Sequence, residues 1–141
     1  MIYDSAYGNT EKVARAIHDR LGTRGETRIV RLDEATNALA DQLDLLVVGG
    51  PTQRHGTSPS MRAFLHHIPR RSLRGTTAAA FDTRYDMNPR VPGSAARRIA
   101  QALRRAGCNI PTEPQSFFIT MDQPPPKQKR RHEMEELAPG E

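Results

Sequence analysis

The sequence predicts an α/β domain in three layers, a parallel five-stranded sheet with helices on both faces. Extended and helical patterns alternate along the chain. One run, Leu45-Leu46-Val47-Val48-Gly49, is apolar without a break, as in a parallel strand covered on both sides. Two later segments carry explicit helix starts, Ser58-Pro59 and Pro92-Gly93-Ser94. At 141 residues the chain has room for one such domain.

The first strand begins at Met1 and is short. Residues 10–21 read as an amphipathic helix, with Val13, Ile17 and Leu21 recurring at i, i+4 and i+8. Residues 27–32 make a second strand between the turn-like Gly25-Glu26 and Asp33-Glu34, and 35–43 a short helix. After the third strand, Ser58 caps a helix whose Met61, Phe64, Leu65 and Ile68 share one face. Residues 76–81 form the fourth strand, and its small Ala78-Ala79-Ala80 centre predicts a helix packed close above it. In the next helix Ala96, Ile99, Ala100 and Leu103 point inward and Arg97, Arg98, Arg104 and Arg105 outward, with Gly107 at the left-handed exit position. Residues 116–120 are the last strand, and Pro111 and Pro114 just before it suit a sheet edge. A Pro-rich, basic tail over 123–141, with a short helix at 131–137, would follow a domain spanning 1–122.

Composition narrows the function. One cysteine excludes a disulfide framework and a cysteine metal cage, and fits a reducing cytoplasm. The apolar runs fall far short of the roughly 20 residues that span a bilayer, and residues 1–4 show no secretory signal. Net charge is +5, which points toward anionic partners, but Trp is absent and aromatics reach only 5%, which argues against nucleic acid. No Ser/His/Asp arrangement or metal-ligand cluster supplies a catalytic centre. His66-His67 read as surface residues and Cys108 as a small packing residue.

In an open α/β sheet the ligand lies beyond the carboxyl ends of the strands. After the first strand, Ser5, Tyr7, Gly8, Asn9 and Thr10 lead straight into a helix. Hydroxyls, an amide and free helix N-terminal N–H groups suit an anion, though an ordinary capped turn would look the same. No Gly-Lys-Ser/Thr or Gly-x-Gly-x-x-Gly is present, so the donors are neutral and the site is neither a nucleoside-triphosphate loop nor a dinucleotide loop. After the third strand comes Gly49-Gly50-Pro51-Thr52-Gln53-Arg54-His55-Gly56, where paired glycines would let a flat group approach the backbone.

Taken together, residues 3–11, Val48-Gly49-Gly50-Pro51-Thr52, Gly56 and Met61-Arg62-Ala63-Phe64-Leu65 resemble the flavodoxin-like family over residues 1 to about 120. The resemblance implies strand order 2-1-3-4-5 and noncovalent FMN. It places Ser5, Tyr7, Gly8, Asn9 and Thr10 on the phosphate and Pro51, Thr52, Gln53, Arg54, His55 and Gly56 beside the ring. Asp82, Thr83, Arg84 and Tyr85 would form a third loop. The second loop lacks the aromatic that often stacks on the ring, the last helix is cut short, and the chain is basic where flavodoxins are acidic. The expected role is an electron carrier serving a redox partner protein or a small acceptor, with an acidic docking face on a protein partner. The basic Arg54 and Arg84 would make the flavin potential less negative than in acidic flavodoxins. A flavin-dependent NAD(P)H:quinone-type reductase and a flavin-free binding module are the alternatives.

Overall fold

The computed structural model describes residues 1–5, 8–35, 39, 43–53, 56–85 and 94–119. Its elements are β1 (Ile2–Tyr3), α1 (Asn9–Leu21), β2 (Val30–Arg31), a 3-10 turn (Leu32–Glu34), β3 (Leu45–Pro51), α2 (Pro59–His66), β4 (Thr77–Tyr85), α3 (Ala95–Arg105) and β5 (Gln115–Ile119). All strand pairs are parallel, in the order β2-β1-β3-β4-β5. The expected helix over 35–43 and the tail with its 131–137 helix fall largely or wholly outside the described residues.

Two strands differ from expectation, and pairing explains both. β2 shrinks from 27–32 to Val30–Arg31 because its one neighbour, β1, offers only Ile2 and Tyr3 as partners. β4 runs on to Tyr85 instead of stopping at 81, because partners stand on both sides: Gly50 and Pro51 of β3 face Asp82 and Thr83, and β5 pairs from Phe81 through Tyr85. Asp82, Thr83, Arg84 and Tyr85 are therefore strand, and do not make up a third loop.

Helices cover the two faces unequally. On one, α2 and α3 close over Ile2, Leu46, Val48, Ala78 and Ala80 with Met61, Ile99, Ala100 and Leu103. The alanines of β4 let α3 sit close, as their size predicts. On the other face α1 covers Tyr3, Val47 and Phe81 with Ala14, and with the partly buried Val13, Ile17 and Leu21. The caps follow the sequence: Ser58 accepts from the Met61 N–H and Ser94 from the Arg97 N–H, and Gly107 has φ +101°. β5 is the edge strand that Pro111 and Pro114 announce.

Candidate functional site

The carboxyl ends of β1, β3 and β4 bring together the segments that the sequence singles out. After β1, the Gly8 N–H donates to Ser5 Oγ at 3.0 Å, which leaves the Ser5 hydroxyl proton free to point elsewhere. Gly8 precedes α1 with φ +86°, a conformation suited to glycine, and as the N-cap residue it supplies no side-chain cap. The first N–H groups of α1 thus keep their donor capacity for an anion. Glu11, in that same turn, has its charge engaged: Tyr3 Oη donates to Oε1 at 2.9 Å and Arg15 Nη2 lies 3.1 Å from the same atom. The Tyr3 hydrogen bond, with Arg15 behind it, holds the Glu11 carboxyl below its ordinary range, and burial pushes the Tyr3 phenol up. Thr10 sits differently from expectation. Its side chain is buried and shares a 2.7 Å hydrogen bond with Thr83 Oγ1, so its hydroxyl ties α1 to β4.

The second segment begins inside β3. Gly49 is demanded by the protein itself: a Cβ there would lie 2.1 Å from the Phe81 ring. This corrects the expectation that the glycine pair clears space for a flat ligand, since Gly50 faces Met61 and Asp4 and the ring that approaches Gly49 is that of Phe81. Pro51 ends the strand. The Thr52 N–H donates to the Thr83 carbonyl at 2.9 Å. Gln53 and Gly56 exchange two backbone hydrogen bonds, at 2.8 and 2.9 Å, and so close the loop on itself. Gly56, at φ +121°, lies against Arg98 of α3, whose Nε would be 2.5 Å from a Cβ at that position.

Asp82 is fully buried on the α3 side of β4, at 0% exposure. Its Oδ2 accepts from Thr52 Oγ1 at 2.9 Å, Ser94 Oγ at 2.7 Å and the Ala96 N–H at 3.0 Å. Arg84 extends over the Phe118 ring, 5.7 Å from its centroid, and Phe118 is 60% exposed. Tyr7, Arg54, His55 and the Tyr85 side chain lie outside the described residues. His66 and His67 are exposed, and Cys108 is buried with its thiol pushed up by that burial, as a packing residue should be. Among the described residues no cluster of metal ligands forms, and no helix is long and apolar enough to cross a membrane.

Sequence reasoning missed three partners. Asp4 accepts from Ser58 Oγ at the start of α2, Ser94 reaches Asp82 as well as capping α3, and Arg98 packs on Gly56. The two serines stand out as caps, but what they bind depends on chain segments brought together only by the fold.

The flavodoxin domain family matches residues 1–138. The chain belongs to that family. Solved structures agree in fold. Flavodoxin 1 from Bacillus cereus superposes with a TM-score of 0.73 at 21% identity, over 96% of this chain and 88% of its own. Rubredoxin oxygen:oxidoreductase from Desulfovibrio gigas gives 0.68 at 22% identity, and the flavodiiron protein from Giardia intestinalis 0.68 at 23%. Both are covered over 96% of this chain but only 32% of theirs, so this flavodoxin domain spans about a third of their length. At such identities the likeness is one of fold. No curated protein sequence matches the chain. The family's cofactor is FMN. Its phosphate end fits the residues present, because the α1 N-terminus behind Gly8 offers N–H donors that no side-chain cap from Gly8 engages.

Proposed function

We propose that this flavodoxin domain carries electrons on bound FMN between redox partner proteins. The observation that carries this reading is the entry to α1: a left-handed Gly8, its N–H bonded to the Ser5 hydroxyl, and a helix N-terminus that Gly8 leaves without a side-chain cap. Ser5, Tyr7, Gly8 and Asn9 would hold the phosphate, with Thr10 contributing its N–H and bracing the turn through Thr83. The segment from Pro51 to Gly56, Arg54 and His55 included, would flank the ring. When bound, FMN supplies the redox chemistry, and the protein supplies its placement and its electrostatic surroundings.

The partner surface is basic. Arg97, Arg98, Arg104 and Arg105 are exposed on α3, and Arg98 touches Gly56, so this charge begins at the flavin loops. An acidic face on the partner would complement it and speed encounter at low salt. Reconstitution tests the reading: apoprotein mixed with FMN should give a stoichiometric yellow complex, and inorganic phosphate should compete. The complex should exchange electrons with an acidic redox protein faster than with a basic one, and the advantage should shrink as salt rises. Turnover of NADPH with a quinone, without any protein donor, would replace the carrier reading with a reductase. Failure to bind FMN would end both.

A further inference from the structure

We propose that Asp82 is a positioning residue for the loop that would flank the flavin, its buried carboxylate fastening the start of that loop, at Thr52, to Ser94 and the first turn of α3. This rests on the FMN reading above. Thr52 begins the segment after β3, and Ser94 ends the segment that runs from β4 into α3. Both hydroxyls donate to the same oxygen, Asp82 Oδ2, at 2.9 and 2.7 Å, and the Ala96 N–H adds a third bond at 3.0 Å. Thr52 Oγ1 also accepts from the Ala95 N–H at 3.0 Å, so the loop start is bound to the carboxylate and to the helix at once. At the far end of that loop, Gly56 lies against Arg98, one turn further along α3.

The arrangement exceeds what a helix cap requires. α2 has the simpler version: Ser58 caps the helix and donates to Asp4, which is partly exposed. At α3 the carboxylate is wholly buried and its Oδ1 has no hydrogen-bond partner among the described residues. Burying a carboxylate is costly unless donors and a helix N-terminus compensate, and here they gather on one oxygen. Complete burial also places Asp82 behind the site, so it acts through Thr52 and Ser94 and is a positioning residue, not a ligand.

The test is a set of affinities measured on the full chain freed of flavin: FMN, riboflavin, and inorganic phosphate as a competitor. Asp82→Asn and Thr52→Val should each weaken FMN and riboflavin by the same factor, about tenfold, since the first removes the charge that the donors share and the second removes one hydrogen bond to it. The phosphate inhibition constant should stay unchanged. If Asp82→Asn does not fold, Thr52→Val and Ser94→Ala carry the test, because each removes one tie and leaves the carboxylate in place. A purely structural role would lower the melting temperature and leave the affinities of the folded variants at wild-type values, which would overturn the proposal. So would a matching loss of phosphate affinity. Wild-type protein that binds no flavin would fell the FMN reading and this inference with it, whereas wild-type binding with unaffected variants fells this inference alone.

Discussion

The two helical faces of the sheet differ in how they fill space and in how they treat charge. Under α1 the core holds two aromatic rings, Tyr3 and Phe81, among aliphatic side chains, and Phe81 occupies the space that a side chain on Gly49 would take. Under α2 and α3 it is aliphatic side chains over the alanines of β4. Outside, α1 and its surroundings hold acids among their bases, and two pairs form, Arg15 with Glu11 at 3.1 Å and Arg31 with Asp33 at 3.7 Å. The α2/α3 side leaves Arg62, Arg70, Arg71, Arg74, Arg97, Arg98, Arg104 and Arg105 exposed with no ion pair among the described residues. The only acids between residues 56 and 109 are Asp82 and Asp86. The α2/α3 side thus carries a run of exposed basic charge with few acids to offset it.

Adjacent glycines give the strongest test of the packing contrast. Gly49→Ala puts a Cβ 2.1 Å from Phe81 and should cost about 3 kcal/mol or prevent folding, since overpacking a rigid ring displaces the strand beneath it. Gly50→Ala, one residue on and facing the other side, meets Met61 Cε at 3.4 Å and Asp4 Cβ at 3.6 Å. That substitution should change stability by less than about 1 kcal/mol. Denaturant midpoints of the two variants check this directly, and equal losses would show that the faces pack alike.

A smaller effect tests the tie between α1 and the sheet. Thr10→Val keeps the shape but removes the buried bond to Thr83, leaving one hydroxyl without its partner, and should cost about 1–2 kcal/mol. FMN should bind the folded variant nearly as before, because the Thr10 N–H survives. A large loss of affinity without loss of stability would return the Thr10 hydroxyl to the phosphate.

Smaller still is the pH effect at Tyr3. Its hydroxyl holds the Glu11 carboxyl below its ordinary range, so the bond's contribution is present above the unfolded value of about 4.3 and fades as pH falls through the lower folded value. Tyr3→Phe should therefore cost about 1 kcal/mol at neutral pH and little in acid. Urea melts at pH 7 and pH 3 check it, and a pH-independent difference would remove the charged acceptor from the account.

The buried third strand, the helix caps and the inward faces of α2 and α3 were legible because each depends on local pattern: an unbroken apolar run, a Ser before a helix, apolar residues three and four apart. The strand order came from the family resemblance, since no local pattern says which strands are neighbours. The C-terminal edge was legible only in outline. Gly49 carries the same letters whether it clears room for a ligand or for Phe81, and Phe81 is a β4 residue 32 positions away. The resemblance implied that Asp82 to Tyr85 form a loop, yet two neighbouring strands hold them in the sheet. Where β4 ends depends on the partners beside it, which its own residues do not announce.

The least of these effects on stability bears most on the functional contrast. α1 obeys its dipole, with Glu11 in its first turn and His18 and Arg20 in its last. α3 has Arg104 and Arg105 at its end, where cations are favoured, but no acid in its first turn, where Arg97 stands instead. Arg97→Glu should raise stability by about 0.3–1 kcal/mol, and Arg104→Glu should lower it by a similar amount. At the same time Arg97→Glu should slow electron exchange with an acidic redox protein at low salt and have little effect at high salt. Both results together would assign Arg97 to docking, as a residue that weakens its own helix yet quickens encounter. If Arg97→Glu raises stability and leaves exchange at the wild-type rate, the basic face of α3 has no part in docking.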